Sequence, residues 1–205
     1  MSFQSKYLGM SPYECPELFS ILPFIEYEYG IWHPTGGCNA LMRAMASIAE
    51  ELGVRFHLGA PVESVEFEGR RATGVQVAGS LRRHRHVVLN ADAPNALRTL
   101  VPPHLRRTWS DTRIERSRYS CSTFMLYLGI DGRYDDVPHH TIYLSADYRD
   151  NLADIEHRHV LSADPSMYVQ NACVTDPTLA PPGTNTLYLL IPVTHRHPKI
   201  GRAHV

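Results

Sequence analysis

The chain has 205 residues, of which 43% are hydrophobic, and a formal net charge of -1. This length suits one large domain or parts of two, and the hydrophobic content supports a buried core, which excludes wholesale disorder. The balanced charge gives no electrostatic footprint for nucleic acid, so no nucleic-acid partner is expected. The basic run from Leu81 to His86 is interpreted as a solvated turn or strand edge.

Cysteine and histidine spacing gives no metal motif. The four cysteines are widely separated and form no C-x-x-C pair, which is typical of reduced thiols in a cytosolic protein. The twelve histidines include four close pairs, namely His84/His86, His139/His140, His157/His159 and His195/His197. No pair has a nearby cysteine, or an acidic residue at a spacing typical of known sites. We therefore interpret them as surface residues and predict no metal site.

The first quarter of the chain contains the clearest predicted helix. Pro16–Ile21 is predicted to be a short helix, and the aromatic segment Pro23–Trp32 alternates partially, which favours a strand or extended segment. After the turn Pro34–Gly37, a helix is predicted from Cys38 to Leu52. Its apolar face consists of Leu41, Met45, Ile48 and Leu52. Gly53 stands where a C-capping glycine ends a helix.

Strands dominate the next segment. They are predicted at Val54–Leu58, Val62–Phe67, Ala72–Ala78 and Val87–Leu89. The turn Glu68–Arg71 joins the second and third of them as a hairpin.

The second half of the chain combines strands with separate helices. Helices are predicted at Asn95–Leu105, with an interruption at Pro102–Pro103, and at Leu152–Leu161. Strands are predicted at Ser122–Ile130, His140–Leu144, Met167–Gln170 and Thr186–Val193. The whole pattern predicts an α/β region next to an α+β region, and neither a helical bundle nor a β-sandwich.

The residues alone indicate a mixed α/β domain and no specific function, because the sequence contains no G-x-G-x-x-G, P-loop or G-x-S-x-G motif. Several short segments, in order and with matching spacing, nevertheless resemble the phytoene desaturase family of the bacterial carotenoid desaturase type. These segments are Tyr29–Gly37, Glu51–Val54, Pro61–Val75, Val88–Asp92, Asp164–Asn171 and Val174–Gly183. The resemblance extends from Ser2 to Thr194.

The resemblance implies FAD as the cofactor and a long apolar polyene such as phytoene as the substrate. In such enzymes a hydride passes to the flavin while a proton is lost. The implied fold is part of an FAD-binding doubly wound domain joined to a mixed-sheet substrate domain, both incomplete. The implied division is a substrate-domain segment at 1–35, a partial FAD-binding domain at 36–95, a substrate domain at 96–194 and a non-family tail at 195–205.

An apolar substrate also implies where such a protein works. We expect a cytoplasmic protein in peripheral contact with the inner face of the membrane, because the substrate dissolves in lipid, although the sequence contains no amphipathic anchor. No apolar run approaches the roughly 18 residues of a membrane span. The sequence indicates no oligomeric state.

The resemblance assigns candidate cofactor and substrate residues. In relatives, the strand that carries Val62 approaches the adenine end of FAD through backbone groups. The turn Asn90, Ala91 and Asp92 ends a strand near the cofactor, although Asp92 is also interpretable as a helix cap. The candidate substrate-lining residues, for which ordinary packing is the alternative, are Tyr29, Trp32 and His33. No catalytic residue is assigned.

The sequence also departs from the family. Complete members begin with a strand, a Gly-rich turn and a helix that hold the FAD pyrophosphate, and they end with a further flavin-contacting region. Neither matches here. Ile200–Val205 instead match the translation of a common sequencing-library adapter, which predicts a truncated gene model from fragmentary DNA, with a genuine short paralogue as the alternative. We therefore expect weak flavin retention and no activity of this chain alone.

Four alternative functions remain open at this point. Three are enzymes: an FAD-dependent carotenoid isomerase, a carotenoid oxygenase-like oxidase and an amine oxidase-like flavoprotein. The fourth is a non-catalytic remnant that binds an apolar ligand.

Overall fold

The computed structural model describes residues 9–117, 119–197 and 201–202, with the backbone alone described at 196–197 and 201–202. The chain divides into two compact units. Unit 1 contains the described residues up to Leu52 and from Tyr119 onward, and unit 2 contains those from Gly53 to 117. Unit 1 therefore combines two stretches that are distant in sequence.

Helices and strands occur in both units. The helices are α1 (Ile21–Tyr29), α2 (Cys38–Glu51), α3 (Ala93–Leu100), α4 (Asp111–Arg116) and α5 (Tyr148–Ala153). The strands are β1 (Val62–Glu68), β2 (Arg71–Val77), β3 (Ser80–Arg83), β4 (Ser122–Asp131), β5 (His140–Tyr143), β6 (Met167–Gln170), β7 (Thr184–Val193), β8 (Arg196–His197) and β9 (Gly201–Arg202). Tight 3-10 turns lie at Glu17–Ser20, Pro103–Leu105, Ala172–Val174 and Pro177–Leu179, and a π-helical segment lies at Asp154–Arg158.

Helix α1 shows that the predicted extended segment at Pro23–Trp32 is wrong. Pro23 lies in the first turn of the helix, where a missing backbone N–H costs no helical hydrogen bond. Gly30 ends the helix with a φ of 76°, and its N–H donates to the carbonyl of Glu26 at 3.0 Å. The short predicted helix before it is a 3-10 turn that leads into α1. A proline in the first turn and a glycine at the C-terminal end thus favour a helix here over the β propensity of the aromatic residues.

Helix α2 confirms the predicted amphipathic helix. Gly36 and Gly37 precede it with φ values of 84° and 79°, which residues other than glycine rarely adopt. Gly53 follows it with a φ of 87°, as expected of a C-capping glycine. The apolar face is uncovered, because between 51% and 81% of each of its four side chains is exposed, at Leu41, Met45, Ile48 and Leu52.

Unit 1 is built on a four-stranded antiparallel sheet with the order β4-β7-β6-β5. β4 and β7 pair along their whole length, from Ser122 opposite Val193 to Asp131 opposite Thr184. All four strands confirm strands that were predicted from the sequence. The short strands β8 and β9 form a separate antiparallel pair.

The helix of the second half begins earlier than predicted. Asp147 caps α5 by accepting a hydrogen bond from the Asp150 N–H at 2.9 Å, so the helix begins at Tyr148 and not at Leu152. The π-helical continuation ends at Arg158, before His159, which has a left-handed φ of 55°.

Unit 2 is built on a three-stranded antiparallel sheet with the order β1-β2-β3. The predicted hairpin is confirmed, since Glu68 pairs with Arg71 across a turn in which Gly69 has a φ of 63°. A second tight turn, in which Ala78 and Gly79 both have positive φ, leads from β2 to β3.

Two predicted strands of unit 2 are wrong. Val54–Leu58 and Val87–Leu89 have irregular backbone and pair with no strand in the described part of the chain. An apolar run forms a strand only where a neighbouring strand accepts its backbone hydrogen bonds. Helix α3 begins at Ala93, before the predicted Asn95, and gives way to the 3-10 turn after Pro102.

The buried apolar cores of both units are small among the described residues. Unit 2 buries Val65, Val77, Ala96 and Ile114, and unit 1 buries Leu152, Ile155, Ala172 and Cys173. The described residues form both helices and strands, which confirms the predicted mixed α and β composition. Every described strand pair is antiparallel, so the parallel, doubly wound sheet stays a prediction. Within the described ranges, no helix is both long enough and apolar enough to cross a membrane.

Candidate functional site

A buried carboxylate of unit 1 holds the turn that carries His33. Asp176 is 5% exposed, and its Oδ2 accepts a hydrogen bond from the Gly36 N–H at 2.6 Å. Its Oδ1 accepts from the Thr178 hydroxyl at 2.5 Å and from the Thr178 N–H at 3.1 Å. The Nε2 atom of His33 lies 3.6 Å from Asp176 Oδ2, just beyond hydrogen-bond distance. One carboxylate thereby connects the turn before α2 to the turn after β6.

These donors keep Asp176 ionised. The Thr178 hydroxyl, and after it the Gly36 N–H, lowers the pKa of Asp176 below its ordinary value of 3.8, against the opposing effect of burial. The stabilisation from the ionised form is fully present above the ordinary pKa and is lost as the pH falls through the lowered value. At neutral pH the His33 ring therefore faces a carboxylate.

Six aromatic rings form a continuous line in unit 1, which we call the aromatic row. In spatial order they are His33, His139, His140, Tyr168, Tyr188 and Tyr127. Successive ring centroids lie 5.2, 4.3, 5.8, 6.1 and 5.1 Å apart, close to or within the range of favourable aromatic contacts. The row runs from the His33 turn across β5, β6 and β7 to β4, where Tyr127 and Tyr188 are directly opposed.

Four members of the row, His139, His140, Tyr168 and Tyr188, have polar atoms within hydrogen-bond distance of partners in unit 1. His140 Nδ1 lies 2.6 Å from the Tyr168 hydroxyl oxygen. His139 Nδ1 lies 2.6 Å from the hydroxyl oxygen of Thr175. Tyr188 donates its hydroxyl hydrogen to the Met125 sulfur at 3.2 Å. With these polar atoms engaged, the rings are free to present their apolar faces.

Two members of the row are uncharged at neutral pH. Burial, followed by the neighbouring His140 and His33, lowers the pKa of His139 below 6.5. Burial, followed by Tyr127, raises the pKa of Tyr188 above 10.0. Neutral rings in a line suit an extended apolar ligand better than a charged one.

Asn171 positions the histidine end of the row. It is completely buried, and its side-chain amide donates to the carbonyls of Tyr134 at 2.8 Å and Val137 at 3.0 Å. Its side-chain oxygen accepts from the Asn185 amide at 2.8 Å. Its backbone N–H donates to the His139 carbonyl at 2.9 Å. The network thus connects the segment before β5 to the start of β7.

Of the predicted substrate residues, His33 alone belongs to the aromatic row. Tyr29 is 66% exposed at the end of α1, and Trp32 is 86% exposed in the following loop. The indole N–H of Trp32 donates to the Tyr29 carbonyl at 2.9 Å. Both residues lie in unit 1, and their role in substrate binding stays a prediction.

The predicted adenine-binding strand has an open edge. Val62 begins β1, and β1 has β2 on one side and no other strand pairing among the described residues. A bulge leaves Glu63 unmatched between Val62 and Ser64. Free N–H and C=O groups at such an edge are available to an adenine ring, and the role of Val62 in cofactor binding stays a prediction.

The turn Asn90, Ala91 and Asp92 also lies in unit 2. Asn90 and Ala91 are exposed, and Asp92 Oδ1 accepts a hydrogen bond from the Asn95 N–H at 2.9 Å. The capping interpretation of Asp92 is therefore confirmed, and cofactor contact at this turn stays a prediction. Helix α3 lies against β1, which places both predicted cofactor segments in one unit.

One group in the described ranges has the composition of a metal site. Ligand atoms of Glu14, Glu156 and His157 lie within 4.8 Å of one another. His157 Nε2 lies 3.0 Å from Glu14 Oε1, and the two side chains are 58% and 47% exposed. We interpret the group as a surface ion pair, which needs no metal.

The family comparison decides which class of protein carries these features. The family model described as flavin containing amine oxidoreductase matches residues 1–200. The chain belongs to this family. The match runs past Thr194, where the sequence resemblance was expected to stop.

Carotenoid enzymes are among the relatives, which confirms the predicted family resemblance. The chain is 46% identical over 192 residues to a 4,4'-diapophytoene desaturase (4,4'-diapolycopene-forming) from Methylomonas sp, a match that covers 93% of this chain and 37% of the relative. It is 45% identical over 206 residues to an all-trans-zeta-carotene desaturase from Myxococcus xanthus, with 98% and 38% covered. A 4,4'-diapolycopene oxygenase from Methylomonas sp is 34% identical, with 97% and 39% covered. The chain thus spans less than two fifths of the length of these relatives.

A solved structure has a fold similar to that of this chain. An oxidoreductase from Methanosarcina mazei superimposes with a TM-score of 0.63 at 20% identity, over 97% of this chain and 43% of that one. At this identity the likeness concerns the fold alone.

Sequence reasoning missed the residues that organise the site in unit 1. Asp176 precedes Pro177 and Thr178, a local signal for a side chain that caps a turn, but nothing local indicates its distant partner Gly36. His139 and His140 were interpreted as surface residues, and a sequence gives no sign of the tyrosines beside them. Cross-strand register, which depends on the whole sheet, brings the rings together.

Proposed function

We propose that this chain is an internal part of an FAD-dependent oxidoreductase that desaturates an apolar carotenoid precursor such as phytoene. The observation that carries the proposal is the aromatic row, a line of mutually packed rings across the sheet of unit 1. A polyene offers no hydrogen-bonding group, so π faces and shape must hold it. The substrates named for the relatives are of this class.

The residues of unit 1 would bind and orient the polyene. Tyr168 and Tyr188 provide flat apolar surface on adjacent strands, and their hydroxyls are engaged by His140 and Met125. His33, held near Asp176, sets one end of the row. A row without a lysine, arginine, aspartate or glutamate side chain avoids the desolvation cost that such a buried ion would add beside an apolar substrate.

The cofactor belongs to the same proposal. FAD would accept the hydride taken from the polyene. The open edge of β1 at Val62 would hold the adenine end through backbone groups, with the turn Asn90, Ala91 and Asp92 nearby. The glycine-rich turn that cradles the FAD pyrophosphate is not found in this sequence, so unit 2 supplies part of a cofactor site. A substrate dissolved in lipid makes peripheral membrane contact part of the proposal.

A segment exchange tests the function. The 192-residue matching segment of the Methylomonas relative is replaced by the corresponding residues of this chain, and the chimera is purified from a bacterial host supplied with 4,4'-diapophytoene or phytoene. We expect bound FAD and products with longer conjugation, measured by absorbance and liquid chromatography. The matched control is the same chimera with Tyr168 replaced by Ala.

The two proteins separate the possible outcomes. Desaturation that is lost with Tyr168→Ala at unchanged FAD content supports a polyene site on the aromatic row. A folded, FAD-loaded chimera that leaves both precursors unchanged contradicts the proposed activity. Desaturation that is unaffected by Tyr168→Ala supports the activity and contradicts the location of the substrate.

A further inference from the structure

The sheet of unit 2 has a basic groove at the end opposite the β2–β3 turn. We define the basic groove by its six lining residues, Glu68, Arg71, Thr73, Arg83, His84 and Arg85. It has a volume of about 320 Å³ and is widely open to solvent. The cofactor and substrate residues proposed above do not include any of the six.

The charges that line the groove are unbalanced. Three guanidinium groups face one carboxylate, and Arg83 Nη1 lies 3.3 Å from Glu68 Oε1. Both side chains of this pair are 70% exposed, so water screens their attraction. Arg71 and Arg85 have no acidic partner in the part of the chain that the structure describes. The groove therefore has cationic hydrogen-bond donors to spare.

Strand pairing holds two of these donors, Arg71 and Arg83, at a fixed spacing. The His84 N–H donates to the Thr73 carbonyl at 2.9 Å, which extends the β2–β3 pairing into the groove. Gly74 pairs with Arg83, and a Cβ atom at this glycine would stand 2.3 Å from the Arg82 carbonyl oxygen. The close strand approach therefore depends on Gly74. The backbone positions from which the Arg71 and Arg83 side chains extend are therefore set by paired strands and not by a flexible loop.

We propose that the basic groove binds a phosphate-bearing anion. Planar guanidinium groups donate two parallel hydrogen bonds to phosphate oxygens, and several such groups at one site are typical of phosphate recognition. The proposal does not depend on the proposed redox function, because it concerns other residues and another chemistry. The phosphate could belong to a lipid headgroup or to a soluble compound, and the experiment distinguishes these two sources.

The experiment uses the 205-residue chain and two kinds of probe. Inorganic phosphate is titrated with detection by phosphorus NMR, and vesicles of phosphatidylglycerol or phosphatidylcholine are used in co-sedimentation. The variants Arg71→Gln and Arg85→Gln each remove one donor, and Glu68→Gln removes the competing carboxylate. Arg55→Gln is the matched control, because Arg55 is an exposed arginine of the same unit outside the groove. Circular dichroism verifies that each variant keeps the fold of the parent.

The proposal predicts opposite effects within the groove. Arg71→Gln and Arg85→Gln each weaken binding about tenfold, the effect of losing one charge-assisted contact, and Glu68→Gln strengthens it. Arg55→Gln leaves binding within about twofold. Binding of inorganic phosphate in this order indicates a soluble phosphate, and binding of phosphatidylglycerol vesicles alone in this order indicates a headgroup. No binding to either probe, or equal loss in Arg55→Gln and the groove variants, overturns the proposal.

Discussion

Replacing Asn171 by Leu should destabilise unit 1 strongly, because this buried side-chain amide has partners on two segments of the chain. The substitution removes hydrogen bonds of 2.8 and 3.0 Å to the carbonyls of Tyr134 and Val137, at about 1 kcal/mol each. It also leaves the amide of Asn185, a residue that is 2% exposed, without its partner, at about 1–3 kcal/mol. The sum is about 3–5 kcal/mol, a large part of the stability of an ordinary domain.

The measurement is urea unfolding followed by circular dichroism, with hydrogen exchange of unit 1 amides to locate the loss. Asn39→Leu is the control, because Asn39 is exposed on α2, and it should change the unfolding free energy by less than about 0.5 kcal/mol.

A double variant tests the reasoning itself. Asn171→Leu combined with Asn185→Leu removes both polar partners, so no amide is left buried and unpaired. The double variant should therefore be more stable than Asn171→Leu alone. If the two losses simply add, the buried amide pair does not carry the energy assigned to it, and the explanation fails.

Three further predictions concern other parts of the molecule. Asp92→Ala should lower the stability of unit 2 by about 1 kcal/mol, and Asp92→Asn, which keeps a capping oxygen, should not, as urea unfolding can show. Gly74→Ala should broaden the amide NMR signals of β2 and β3, because its Cβ would stand 2.3 Å from the Arg82 carbonyl oxygen; unchanged spectra would contradict the close approach. The unfolding free energy of unit 1 should fall as the pH drops below 6.5, because the folded pKa of His139 is lowered, and His139→Gln should remove this dependence.

The sequence predicted those elements whose ends and faces are determined by residues close together in the chain. Helix α2 has glycines before and after it and a regular apolar face, and each of these features acts over a few residues. The hairpin at Glu68–Arg71 likewise depends on its own turn. β4 and β7 were predictable because each contains a long run rich in apolar, aromatic and β-branched residues.

Features that depend on distant partners were not predictable in this way. Val54–Leu58 and Val87–Leu89 have strand composition, yet pairing partners decide whether a strand forms. Apolar and polar residues alternate only weakly in the aromatic segment before Gly30, and its helical conformation depends on Pro23 and Gly30 at the two ends of α1. Asp176 lies 140 residues from Gly36, so neither sequence neighbourhood indicates the contact. The aromatic row depends on the register of four strands.

The uncovered face of α2 has a consequence for how this helix behaves in solution. None of its 14 residues is buried, and isolated helices shorter than about 12–15 residues are marginal in water. The helix therefore receives little support from tertiary packing, and its helical population should respond to temperature and solvent almost as a peptide would. Its amides should exchange with solvent well before those of β4 and β7. Any surface that covers Leu41, Met45 and Ile48 would order the helix as it binds, so binding and helix formation would be a single coupled event.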